Sequence, residues 1–263
     1  MKLGRYILAG VLGIAGSCVS VDEDLEELWR DYDLNKEIKI DEVMTEEDDS
    51  ERSEKEKAIR DYVLTNLEKI IGAQEKKLGI KHFGVPEIEY GFGKETHLRK
   101  AKYDCLKDKI YIYSLDIPLD EREMLSAEEI LNHELGHYYA DGLSEELRGE
   151  SFPVEYHNNK FEYAERIGIK LASEGIAEYF RVTMSPQKDA FWSGEFPNDL
   201  NPFELTKNLY PIGLSLVYPI IEGHGVKKAV AYLTENYPRT IENILDLDSW
   251  QKGALEELEF AVE

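Results

Sequence analysis

Residues 126–142 read SAEEILNHELGHYYADG, and no other stretch limits the fold and chemistry of the chain as tightly. Ser126 is placed to cap a helix, with Glu129 three residues on completing a capping box. Ala127, Ile130, Leu131, Leu135 and Ala140 favour or pack a helix, and Gly142 is the expected stop. On such a helix His133 and His137 lie on one face, about 6 Å apart along the axis. Two imidazoles so placed can converge on one zinc ion at roughly 2.0–2.1 Å. Glu134 is rotated by ~100° from His133, which puts its carboxylate beside a metal rather than on it. There it can take a proton from water and deliver it to a leaving amine. An ordinary helix can carry these letters by coincidence, so the weight of the motif depends on whether the rest of a metal site follows.

Around this stretch the chain changes character twice. Residues 1–17 read as a secretory signal: Lys2 and Arg5 are the positive start, residues 6–16 are apolar, and Ala15-Gly16-Ser17 offers a small-residue cleavage site. The apolar run is shorter than the ~20 residues of a membrane span. Cys18 directly follows the cleavage site in an imperfect lipobox, so lipidation of Cys18 or an uncleaved signal would each attach the protein to a membrane. The expected location is secreted or cell-envelope attached. The only other cysteine, Cys105, rules out a disulfide framework and reads as a buried strand residue. Residues 18–57 form an acidic segment, expected to be solvated, that acts as a tether or as a pro-segment. Its stretch 22–57 holds 17 acidic against 6 basic residues, hence −11 of the chain's −23. A chain this acidic argues against nucleic-acid binding, which needs clustered Lys and Arg.

The globular part is expected over 58–263. A helix carries Ile59, Tyr62, Val63, Leu67, Ile70 and Ile71 on one face and ends at Gly79. A strand at 86–90 precedes a hairpin, with strands at 103–106 and 109–113 joined through Lys107-Asp108. An irregular stretch is expected at 144–158. Further helices follow at 160–182, capped by Asn158 or Asn159, and at 203–223, with a kink expected at Pro219 and a stop at Gly223. Shorter helices at 226–236, 240–245 and 249–260 complete an α+β fold.

A catalytic zinc takes three protein ligands and leaves one position open, and nothing else on the first helix can supply the third. The next long helix carries Glu174-Gly175-Ile176-Ala177-Glu178. Together, H-E-L-G-H and E-G-I-A-E resemble the gluzincin branch of zinc metallopeptidases, the group that includes thermolysin. The resemblance spans about residues 100–235. It implies a zincin-like architecture, with a small mixed sheet and the zinc helix in an upper lobe, a helical lower lobe, and the cleft between. It also implies that Glu174 is the third ligand and that Glu178 accepts the free N–H of a ligating histidine. Tyr210-Pro211-Ile212-Gly213 is similar to a third-helix pattern in which the tyrosine donates to the oxyanion. Tyr210 is thus the expected donor and His224 the alternative. The spacing from His137 to Glu174 is longer than in thermolysin itself. Residues 109–114 would be the edge strand on which an extended substrate pairs.

Other zinc families fail on named residues: Ala140 and Leu143 stand where the metzincin extension needs Gly and His. The aminopeptidase motif Gly-x-Met-x-Asn is absent before the helix, which favours cutting within a chain. The expectation is an exported zinc-dependent endopeptidase acting on polypeptides. Two other readings stay open, a latent or non-catalytic zinc-stabilised envelope module and a zinc hydrolase of a non-peptide amide.

Overall fold

The first long helix begins earlier than the apolar repeat suggests, because the acidic residues ahead of it continue the same helix. The computed structural model describes residues 49–81, 83–92, 100–115, 121–152, 163–185, 196, 205 and 208–260, all within one compact unit, Ile38–Glu263. Helix α1 spans Asp49–Leu78, so Asp49, Ser50 and Glu51 are helical rather than part of a solvated coil. Its buried face is Ile59, Val63, Leu67, Ile70, Ile71 and Gln74. Gly79 ends it at φ +65°, where Ile80 N–H reaches back to the Glu75 carbonyl at 3.2 Å. The expected signal at residues 1–17, Cys18 and most of the acidic segment lie outside the described residues.

Three strands follow: β1 (Glu87–Tyr90), β2 (Ala101–Asp104) and β3 (Lys109–Ile112). Their order is β1-β3-β2, with β3 parallel to β1 and antiparallel to β2. The sheet is therefore small and mixed, as expected, but β3 is its centre. This corrects the edge-strand assignment of residues 109–114: in the described sheet the edges are β1 and β2. Ile110 and Ile112 turn wholly inward. On the opposite face Lys109 Nζ pairs with Glu87 Oε1 at 2.8 Å and with Glu89 Oε2 at 3.4 Å. The hairpin turn includes Asp108 at φ +52°, a conformation Asp tolerates, and Cys105, which is half-buried in the turn rather than in a strand.

Helix α2 runs Glu121–Arg148, through both Ser126 and Gly142. Neither ends the helix. Gly142 instead faces the ring of Phe83, which a Cβ would approach to 3.1 Å, and burial of Leu143 and Ser144 carries the helix onward. It stops at Gly149, φ +77°, whose N–H bonds the Glu145 carbonyl at 3.0 Å. Residues 144–148, expected to be irregular, are thus helical. Helix α3 (Tyr163–Met184) is buried nearly all round and packs against α2 and α4 (Leu209–His224). Asn158, Asn159 and Phe203 lie outside the described residues. α4 continues through Pro219 and Gly223 to His224, and Gly225 follows it as the cap. Proline has no N–H for the Ser215 carbonyl, and Gln251 Nε2 supplies one at 2.7 Å, bonding the Leu216 carbonyl as well. Helices α5 (Val226–Glu235), α6 (Ile241–Leu245) and α7 (Leu247–Phe260) close the chain. The fold class is α+β. Among the described residues no helix is long and apolar enough to cross a membrane.

Candidate metal centre

Three glycines bring the site together. A Cβ on Gly136, between the two histidines, would lie 2.7 Å from Ala177 Cα, so α2 and α3 touch backbone to backbone there. A Cβ on Gly175 would lie 2.2 Å from the Gly213 carbonyl oxygen, and one on Gly213 would lie 2.7 Å from the Leu171 oxygen. Such closeness leaves no room for a methyl group on any of the three. Glu174 adjoins the crossing of Gly175 with Gly213, and Tyr210 lies one helical turn before the same crossing.

His133 Nε2 stands 3.2 Å from Glu174 Oε2, and His137 Nε2 stands 3.5 Å from the same oxygen. One ligand atom from each of the three side chains falls within 4.8 Å of the others. A tetrahedral ion with ligands at ~2.0–2.1 Å separates them by roughly 3.3–3.4 Å, so this spacing fits one. Glu174 Oε2 is buried and has no hydrogen-bond partner despite its two nitrogen neighbours. Three donor atoms facing one another without an aligned proton are the arrangement a cation satisfies. Side-chain exposures of 12, 17 and 19 % for His133, His137 and Glu174 keep one approach open.

A next layer of contacts surrounds these three side chains. Glu178 Oε1 is 3.1 Å from His133 Nδ1, close in distance although not in hydrogen-bond alignment. Its other oxygen takes Arg181 Nε and Nη2, both at 2.7 Å. Ser173 Oγ lies 3.1 Å from His137 Nδ1. Burial alone would discharge these groups, but their pairing outweighs it. With no metal, burial lowers His133 while Glu174 and Glu178 raise it, and the result is pushed up to about 10. Burial raises Glu174 and Glu178, yet the histidines, and Arg181 for Glu178, hold both below the usual carboxylate range. A metal must displace the His133 proton on binding.

Glu134 is buried beside these three side chains and is not part of the candidate ligand group. Its Oε2 accepts the backbone N–H of Tyr103, on β2, at 2.7 Å. The Tyr210 ring stands edge-on to the His133 ring, centroids 5.6 Å apart, and half of Tyr210 is exposed. His224, the alternative donor, is fourteen residues further along the same helix, about 21 Å away along the axis. The structure thus brings His133, His137, Glu174, Glu178, Glu134 and Tyr210 together and sets His224 apart. Ser173, Arg181 and Tyr103 were not anticipated. Ser173 and Arg181 flank the E-G-I-A-E stretch, one residue before it and three after, so a helical-wheel reading could have found them. Tyr103 contributes a main-chain group, for which a sequence has no signal.

The chain matches no family model, no curated protein and no solved structure.

Proposed function

We propose that this chain is an exported, zinc-dependent endopeptidase of gluzincin type, with a zincin-like catalytic domain, acting on polypeptides. One observation carries the reading: His133, His137 and Glu174 converge with metal-ligand spacing while the adjacent Glu134 stays out of the ligand set. Two imidazoles and one carboxylate suit zinc among the common divalent ions. When bound, zinc would acidify a water molecule and polarise the scissile carbonyl. Glu134 takes the proton from the attacking water and passes it to the departing amine. Tyr210 donates its hydroxyl proton in a hydrogen bond to the carbonyl oxygen as charge builds there. Glu178 and Ser173 fix the two imidazole rings. Export follows from Lys2, Arg5 and the apolar run before Ala15-Gly16-Ser17.

The test is metal analysis of the purified full chain, paired with a casein digest that a chelator stops and added zinc restores. A protein that takes up no zinc, or one that is loaded with zinc yet leaves casein intact, would overturn the reading.

A further inference from the structure

Tyr103 meets α2 at three successive positions of one helix face. Its backbone N–H donates to Glu134 Oε2 at 2.7 Å. Its ring packs edge-on against Tyr138, with centroids 6.0 Å apart. Its hydroxyl lies 3.0 Å from Asp141 Oδ2 and 3.1 Å from Asp108 Oδ1. Positions 134, 138 and 141 are spaced i, i+4, i+7, which is one stripe of a helix. The far end of this strap is itself anchored, because Asp141 Oδ1 accepts the Phe152 N–H at 2.9 Å. The strand register leaves the N–H free to do this. Lys100 accepts from Tyr113 N–H, so alternation turns the main-chain groups of Ala101 and Tyr103 away from β3.

We propose that Tyr103 is a positioning residue for Glu134, and that Asp141 acts through it. The hydroxyl tie to Asp141 holds β2 at a fixed height along α2. That height sets the N–H against Oε2, and Oε1 is then the oxygen left to receive and return the proton. The inference rests on reading Glu134 as the general base. A bond between a main-chain donor and an ionised carboxylate is among the stronger and better aimed hydrogen bonds. Aim matters here, because a misplacement of ~1 Å in a catalytic group can cost about 100-fold in rate.

The experiment uses the full-length, zinc-loaded protein. Tyr103→Phe keeps the ring and the backbone and removes only the hydroxyl. The expected result is a kcat about tenfold lower or worse, KM within about twofold and zinc affinity unchanged. Hydrogen exchange at the residue-103 amide should speed up about tenfold, with the Ile110 and Ile112 amides unaffected. Asp141→Ala should give the same kcat loss, and Asp141→Asn, which keeps an acceptor oxygen, should recover much of it. The Tyr103→Phe/Asp141→Ala double variant should be no slower than Asp141→Ala alone. A merely structural role would lower the melting temperature and leave the kcat of the folded enzyme intact. That result, or additive losses in the double variant, would overturn the proposal. If the wild-type protein does not cut casein, the peptidase reading fails by itself and the tie is still decided by exchange. A residue-103 amide that exchanges equally in wild type and Glu134→Ala would reject it.

Discussion

On one side of the centre, α3 lies against both α2 and α4 with a glycine at each crossing, and the contact is backbone on backbone. On the other side, β2 lies against α2 through hydrogen bonds from Tyr103 to Glu134 and Asp141. The first kind of contact sets distance, because van der Waals repulsion rises steeply and nothing at a backbone crossing can swing aside. The second sets direction, because a hydrogen bond weakens fast as it bends. Each suits its cargo. A metal site needs its ligand distances held to within about 0.2 Å. A base needs one oxygen aimed at one proton. The lesson is that a single short helix segment can serve both demands by presenting glycine and carboxylate to different neighbours.

This contrast can be broken most severely at the base. Glu134→Gln should lower kcat by about 10²–10⁴-fold and keep the zinc, as read by turnover alongside metal content. A variant with full turnover would remove Glu134 from the mechanism. Tyr210→Phe, on the helical side, should cost about 10²–10³-fold in kcat with metal affinity unchanged if its hydroxyl steadies the oxyanion as proposed. Loss of zinc instead would make Tyr210 a packing residue of the His133 ring. Gly175→Ala tests the distance-setting side and should destabilise the fold by about 3 kcal/mol. A thermal melt coupled to zinc titration should show stability and metal falling together; a melt like wild type would mean that the crossing can open. Arg181→Met should weaken zinc binding about 10–100-fold by freeing Glu178, measured by competition with a chromophoric chelator. Equal affinity would leave Glu178 held by His133 alone.

The smallest effect is on pH dependence, and its sign differs between the two sides. Burial raises Asp141 above the ordinary 3.8, with Glu145 and Asp108 adding to the rise against the opposing bonds from Tyr103 and Phe152. Its charge therefore costs stability at neutral pH, and that cost is relieved as pH falls through the raised value. Glu178 is lowered from 4.5, so its contribution is present above 4.5 and lost as pH falls through its depressed value. Acid melts of the metal-free protein should show a shallower decline in wild type than in Asp141→Asn. Identical slopes would mean that Asp141 has no raised titration.

His133 and His137 could be paired from the sequence because they share one helix turn, and helical periodicity needs no tertiary knowledge. Glu174 and Glu178 share a turn of the next long helix, but only the resemblance to the gluzincin pattern singled them out, and the structure brings Glu174 to the histidine pair. Tyr210 was reachable through its spacing to Gly213, which the structure explains as the glycine of the helix crossing. What could not be read depends on distant partners. Gly142 looks like a helix stop until Phe83 is placed beside it. Residues 109–112 look like an edge until β1, which precedes β2 in the chain, pairs with them in parallel on the side away from β2. The strap from Tyr103 was hidden for a simpler reason, since every residue but proline has the same N–H.

Gly136 sits inside H-E-L-G-H at a position that a motif writes as any residue. Its lack of a side chain works as a calliper, because the gap between the two ligand-bearing rods is the thickness of a hydrogen atom on each. Widening that gap by one carbon would move a carboxylate away from two imidazoles together. The spacing of the three grouped side chains is thus set in part by a residue that the motif leaves unspecified.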